Sequence, residues 1–411
     1  MEIRPILSAL MRSKTGAILV AVQVALSLAI LANALHIVNV RQEVAARPSG
    51  VVAEGEVFHL LARTLRTPEH NEEIALQKRL AAAVRAVPGV VSVAQVSQVP
   101  LSRSGSTSGF SENRTQKNSS ANAAVYASPD SLIKTWGLQL IEGRDFNPAE
   151  IVDIDQNVTD EFPSQIIITQ ALANKIKPAG GSALGMPLFL GTGESAQQLQ
   201  VVGVINQLQT QGAELGERGE FSVIYPVRLS GDGNTLLTIR TEPSQRERVM
   251  KEAEQAVRAA TSDKLVVRIR TLDTDRDTRY RADRALSWML ITVSALLLLI
   301  TASGIVGIAS LWVTQRRKQI GVRRALGARR IDILRYFLTE NFMITSLGIA
   351  AGVLLALALN QLLVSQLEMA RLPLPYLLGG ALVFWLLGLA AVYGPAWRAA
   401  SISPATATRS T

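Results

Sequence analysis

The chain has 411 residues, is 48% apolar with a mean hydropathy of +0.22, and carries a net charge of +9. It is too long for one ordinary domain and too hydrophobic for a soluble one. The charge excess does not point to nucleic acid: residues 41–283 hold 27 basic and 29 acidic side chains and the remainder holds 15 and 4, so the surplus sits beside apolar runs, where membrane topology demands it. With no cysteine, disulfides and thiolate metal sites are excluded. His36, His59 and His70 lack ligand spacing and are expected to be ordinary surface or interfacial residues, so no metal site is expected.

Residues 1–14 carry Arg4, Arg12 and Lys14 and read as a cytoplasmic amino terminus. The uncharged run 15–40 follows, and its apolar core is long enough for a bilayer, which needs roughly 20 residues. Ala32-Asn33-Ala34 imitates a leader-peptidase site, but the apolar run exceeds the h-region of a leader, about 7 to 15 residues. It is therefore the first span.

Residues 41–283 have the charge density and turn signals of a large folded extracytoplasmic domain. Its opening, 41–47, extends the span as a helical stalk that stops at Pro48, because proline disfavours helical backbone in the residue before it. Ile74, Leu76, Leu80, Val84 and Val87 predict a helix over 71–87, ended by Pro88-Gly89, with a strand over 90–99. The stretch 101–122, rich in Ser, Gly, Asn and Thr, predicts a mobile loop. Strands with short helices follow in 125–146, 166–176, 183–190 and 200–208; then come a strand over 235–240, a helix over 245–260 and a strand over 265–272. The expectation is two lobes of mixed α/β structure inserted between spans one and two. Gly212, Gly216 and Gly219 lack the context of a phosphate loop, and G-x-x-x-x-G-K-(S/T) occurs nowhere, so this chain has no Walker-type ATPase of its own.

The mixed-charge run 273–284 leads into the second span, 284–315, and reads as a second stalk. Between it and the third span, 336–364, lies the densest feature of the chain. Residues 316–335 hold eight cations (Arg316, Arg317, Lys318, Arg323, Arg324, Arg329, Arg330 and Arg335) against one acid, Asp332, as expected of a loop held on the cytoplasmic side. Ile320, Val322, Ala325 and Leu326 are interleaved with them, and Gly321 and Gly327 flank the set, so a short helix between flexible points would show an apolar face to a cytoplasmic partner as well as to lipid phosphates. A link, 365–374, a fourth span, 375–397, and a cytoplasmic tail, 398–411, complete an α-helical membrane domain with both termini inside. Glu340 is the one charge in the third span and lies near its cytoplasmic end, within reach of water or the arginines. Gln23, Asn33, Thr345, Asn360 and Gln361 suit helix–helix hydrogen bonds rather than a polar conduit, while Gly304 and Gly307, and Gly348 and Gly352, are close-approach faces for helix packing or for a dimer.

The run QIGVRRALGARRIDILRYFLTENF, 319–342, resembles the signature that follows the second span of FtsX/MacB-type ABC transporter permeases, departing at Gln319 and Asn341. The ending PAWRAASISPATATR, 395–409, resembles theirs, and the L-x-x-GR-x-F at 140–146 and V-V-G-V at 201–204 resemble landmarks of the MacB-like periplasmic core. The resemblance runs from about residue 71 to the carboxyl terminus. It implies a bacterial inner-membrane permease with its large domain in the periplasm, working as a dimer with a second copy or a homologous permease. An ABC ATPase dimer, which uses ATP and Mg, would dock on Ile320, Gly321, Val322, Arg323, Arg324, Ala325, Leu326, Gly327 and Ala328. This chain would bind no cofactor and perform no catalysis. MacB-like members export peptides, antibiotics or toxins with an adaptor and an outer-membrane channel, by mechanotransmission. A LolC/LolE-like lipoprotein extractor and an FtsX-like regulator of a cell-wall hydrolase are the alternatives.

Overall fold

The computed structural model describes residues 14–158, 162–177, 180–367 and 371–401. The expected amino-terminal segment up to residue 13 and the carboxyl end from residue 402, with most of the second half of its matching motif, lie outside them. The chain divides into two compact units, Met1–Gln42 with Asp283–Thr411, and Glu43–Ala282.

The first helix, α1 (Lys14–Ala46), runs six residues past the expected span and stops two residues before Pro48. Then follow β1 (Val57–Thr64), α2 (His70–Arg85), β2 (Val90–Gln95), β3 (Thr107–Ser111), β4 (Ala121–Ala127), α3 (Leu132–Trp136), β5 (Leu140–Gly143), β6 (Val152–Asp155), β7 (Gln165–Thr169), α4 (Gln170–Ile176), β8 (Pro187–Leu190), β9 (Gln197–Ile205), β10 (Ser222–Tyr225), β11 (Val227–Ser230), β12 (Asn234–Thr241), α5 (Arg246–Ala259) and β13 (Leu265–Thr271). Four helices close the chain: α6 (Leu272–Gln315), α7 (Arg317–Ala325), α8 (Arg330–Leu367) and α9 (Leu374–Ala400). Among the described residues, α1, α6, α8 and α9 are long and apolar enough to cross a membrane. At 44 residues α6 is about 66 Å long, twice what a bilayer core requires, and its surplus is the charged amino-terminal part.

In the membrane unit α1 is the hub. Its Val20, Val24 and Leu28 are buried, and the other three spans approach it through small or polar residues. A Cβ at Gly348 would lie 2.8 Å from the Ala21 carbonyl oxygen, one at Gly352 3.0 Å from Ala25, and one at Gly380 2.5 Å from Leu28. Ser27 and Thr301 share a hydrogen bond of 2.9 Å, and Asn33 Nδ2 donates to the carbonyls of Ala29 and Ala356. These bonds satisfy polar groups where lipid offers no partner.

The other unit holds a four-stranded sheet, ordered β13-β1-β12-β2, and a seven-stranded one, ordered β5-β9-β7-β10-β4-β3-β8, in which β8 also pairs with β9, so that β9, β7, β10, β4, β3 and β8 form a closed ring. A parallel ribbon of β6 and β11 completes it. Alternation decides the four-stranded sheet: Phe58, Leu60, Ala62, Leu237 and Ile239 face a core shared with Leu76, Leu80 and Val84 of α2 and with Val249, Ala253 and Val257 of α5. Trp136 of α3 is buried against the opposite face, its Nε1 donating to Thr238 Oγ1 at 2.7 Å.

Two expectations change here. The stretch 101–122 is not one mobile loop, because 107–111 pairs with β4 and β8 and buries Phe110 completely. One aromatic among small polar residues gives too little local signal, and only the flanking strands stabilise it. His36 and His59 are buried rather than at the surface, whereas His70 shares a 2.7 Å hydrogen bond with Ser230 through Nδ1.

Candidate functional site

The basic hairpin is a helix, a turn and the start of a span. α7 ends in a Schellman arrangement: Gly327 N–H donates to the Arg324 carbonyl and Ala328 N–H to the Arg323 carbonyl, with Gly327 at φ +99°. Glycine serves there because a Cβ would strain left-handed backbone. Asp332 caps the next helix, its Oδ2 accepting from Arg329 N–H at 2.9 Å, and places an anion at the amino-terminal end of α8.

The hairpin is braced against α8 by cations. Arg316 Nη1 donates to both carboxylate oxygens of Glu340, at 2.9 and 2.8 Å, and its guanidinium lies 5.8 Å from the Trp312 ring. Glu340 is fully buried, so the pair holds its geometry where water cannot replace it. Arg323 lies 5.1 Å from the centre of the Tyr336 ring, and Arg324 Nη1 donates to the Ala328 carbonyl.

The nine residues expected at the coupling surface divide between two faces. Ile320 and Gly321 are buried, Ile320 within the membrane-unit core, and Ala328 packs against that core. Gly321 therefore lies inside α7 rather than at a flexible boundary, a correction to the expected helix limits. Val322, Arg323, Ala325, Leu326 and Gly327 are exposed, and Arg324 is half-buried. Leu326 is 83% exposed, a large apolar side chain at the tip of a cationic surface that includes Arg317, Lys318, Arg329 and Arg330. The helical period put Ile320 on the apolar face, but tertiary packing turned it inward.

The close-approach glycines also differ among themselves. Gly348 and Gly352 are spent on α1, a Cβ on Gly304 would meet the Gln23 side chain, and one on Gly307 would meet nothing within 4 Å.

Residues 291–404 match the FtsX-like permease C-terminal family and residues 18–259 match the MacB-like periplasmic core domain. The chain belongs to the FtsX/MacB-like family of ABC transporter permeases. This permease is 30% identical, over 51% of its length, to the pyoverdine export ATP-binding/permease protein PvdT of Pseudomonas syringae pv. tomato, of which it covers 32%. It is 27% identical, over 70% of its length, to the macrolide export ATP-binding/permease protein MacB of Bordetella avium, of which it covers 43%. The permease thus spans less than half the length of these relatives. Among solved structures it is similar to the extracellular domain of the noncanonic ABC-type transporter YknZ from Gram-positive bacteria, with 13% identity, a TM-score of 0.32 and coverage of 52% of this chain and all of that one. The family makes it a multi-pass membrane protein with a large extracellular domain.

The braces were only partly legible. Glu340 stood out as the single charge of its span, but nothing local selected Arg316 over seven other cations, or Tyr336 and Trp312 as their ring partners.

Proposed function

We propose that this permease is the transmembrane part of an inner-membrane exporter, with both termini in the cytoplasm, and that a separate ABC ATPase dimer docks on its α7 hairpin. The carrying observation is Leu326, highly exposed at the tip of a cationic helix that is itself clamped to α8 through the buried Arg316–Glu340 pair. An exposed apolar tip alone would be a solubility defect, but on a braced support it is a handle. ATP and Mg are used by the ATPase, and closure of its two halves moves the hairpins of two permease copies and, through the spans, the periplasmic domains. Since relatives are named for macrolide and pyoverdine export, the reading extends to efflux of peptides, antibiotics or toxins with an adaptor and an outer-membrane channel.

A lipoprotein-extracting role would need an apolar groove open to the outer leaflet. The membrane unit has an apolar groove of about 600 Å³, lined by residues such as Ile18, Val22, Met343 and Leu347. The groove continues to Leu26 and Leu355, so in the proposed topology it runs from the cytoplasmic half of the first and third spans to the middle of the membrane. In the deciding experiment the full chain and a co-expressed ABC ATPase are purified together. Leu326→Asp is expected to abolish co-purification while membrane insertion persists, and normal recovery of the ATPase with that variant overturns the docking role.

A further inference from the structure

The carboxyl-terminal end of α1 and the first turns of α6 meet within the extracellular unit. Arg276, Arg279 and Tyr280 hold that junction from one face of α6, being spaced i, i+3 and i+4. Arg276 Nη1 donates to the carbonyls of Ala45 and Arg47 at 3.1 and 3.0 Å, and its Nη2 donates to Glu54 Oε1 at 2.6 Å. The buried Tyr280 hydroxyl donates to the Val44 carbonyl at 3.1 Å. Carbonyls in the last turn of a helix have no partner inside it, so α6 supplies what the end of α1 lacks. Arg279 grips a loop instead: its Nε donates to the Gly212 carbonyl at 2.6 Å and its Nη2 to the Ala213 carbonyl at 3.1 Å.

The backbone held by this face is strained. Among the described residues five non-glycine residues have positive φ, and four of them are at this junction. Ala213 (φ +45°) owns one of the carbonyls that Arg279 takes, and Ala53 (φ +56°) precedes the Glu54 that Arg276 pairs with. Leu101 (φ +65°) and Arg103 (φ +61°) hang from the same loop as Ala213, their N–H groups donating to the carbonyls of Thr210 and Gln211 at 3.3 and 2.9 Å. Left-handed backbone is disfavoured for a residue with a Cβ and persists only where the surroundings over-determine it. Such strain clusters at switch regions.

The loop has a fixed point beside its strained part, since the Gln209 carbonyl accepts from the buried Tyr126 hydroxyl at 2.6 Å. Residues 210–213 can therefore pivot while 209 stays in place. Because Arg276, Arg279 and Tyr280 share one face, a rotation of α6 about its own axis withdraws all three together. Without the Arg279 fork the carbonyls of Gly212 and Ala213 lose the donor that fixes them. The turn then relaxes and carries away the acceptors of Leu101 and Arg103.

We propose that Arg276, Arg279 and Tyr280 form a latch: seated, it holds the loops 101–103 and 210–213 in strained backbone, and rotation of α6 releases both, giving the extracellular unit two discrete arrangements. Its use as a switch rests on the proposed coupling role, because α6 is one helix from this junction to the residue before the hairpin; the latch itself is tested without an ATPase. The chain has no cysteine, so nitroxide labels can be placed at Ser104→Cys, exposed beside the strained pair, and at Lys251→Cys, exposed on α5. Double electron–electron resonance on the full chain in nanodiscs is expected to give one distance between them. Arg279→Gln should raise the population of a second, discrete distance at least about tenfold, the loss expected for hydrogen bonds from a charged group. Adding Ala213→Gly, which accepts this backbone without strain, should return most of that population to the first distance. A merely structural arginine would show no such rescue, since its loss would be the same whichever residue stands at 213. Tyr280→Phe keeps the buried ring and removes only the hydroxyl, and should populate the same second distance to a smaller extent. The proposal is overturned if neither Arg279→Gln nor Tyr280→Phe shows a second distance, or if Ala213→Gly leaves the Arg279→Gln distribution unchanged. Failure here leaves hairpin docking untouched, and failure of docking leaves these distances unaffected.

Discussion

At the base of the basic hairpin Glu340 is fully buried and both its oxygens accept from Arg316, whereas in the extracellular unit His59 is almost as buried and neither of its nitrogens is bonded. The difference follows from ionisation. A carboxylate and a guanidinium buried without each other would each cost several kcal/mol, so they occur together and lock two helices. An imidazole escapes that cost by staying neutral, and its unpaired nitrogens cost about 1–3 kcal/mol each. Paired burial locks two elements together; neutral, unpaired burial locks nothing.

The strongest way to break this contrast is Glu340→Ala, which leaves Arg316 half-buried without its counter-charge. We expect a loss of about 3–5 kcal/mol, seen as a lowered Tm in detergent, whereas the double variant Arg316→Met with Glu340→Leu should lose less than half as much. Equal losses would mean that the pair does not compensate buried charge. A smaller effect tests the membrane unit where it is apolar. Gly348→Val pushes a side chain into Ala21 and Val24 and should cost about 1–3 kcal/mol, while Gly307→Ala, whose Cβ has open space, should stay within about 0.5 kcal/mol.

The smallest effect concerns the unpaired side. The His59 pKa is lowered from 6.5 to about 3 by burial, so between those values the unfolded chain binds a proton that the folded chain refuses. Stability is unaffected by this group above about pH 7 and falls as pH drops through 6.5 towards 3, by about 1–2 kcal/mol at pH 5. Arg268, Arg270, Asp232 and Asp275 line one cleft with His59, so the comparison is with His59→Leu, which removes the histidine and keeps them. Urea unfolding at pH 7.5 and pH 5 should show a smaller difference for that variant. An unchanged difference would mean that His59 is not held neutral.

Local pattern carried much of the fold. The helices over 70–85 and 246–259 follow apolar residues at helical spacing, and Pro88-Gly89 separates the first from its strand. Thr107–Ser111 was hidden because its five residues acquire strand character only from the neighbours on either side. In the hairpin the cations, Val322, Leu326 and the terminal glycine were legible, but the inward turn of Ile320 was not. Its burial depends on the membrane-unit core, where residues distant in sequence, such as Val392 and Ala396, meet.

Hydropathy and charge are sums over short windows, so the sequence alone determined that four apolar helices enclose one large insertion and that the cations crowd between the second and third of them. A hydrogen bond needs two groups brought within about 3 Å, a condition that no window can express. Only the tertiary structure therefore decided that Glu340 is answered by Arg316, that Gly348 is spent on α1, and that His59, one unremarkable residue in a strand, is buried with neither ring nitrogen bonded.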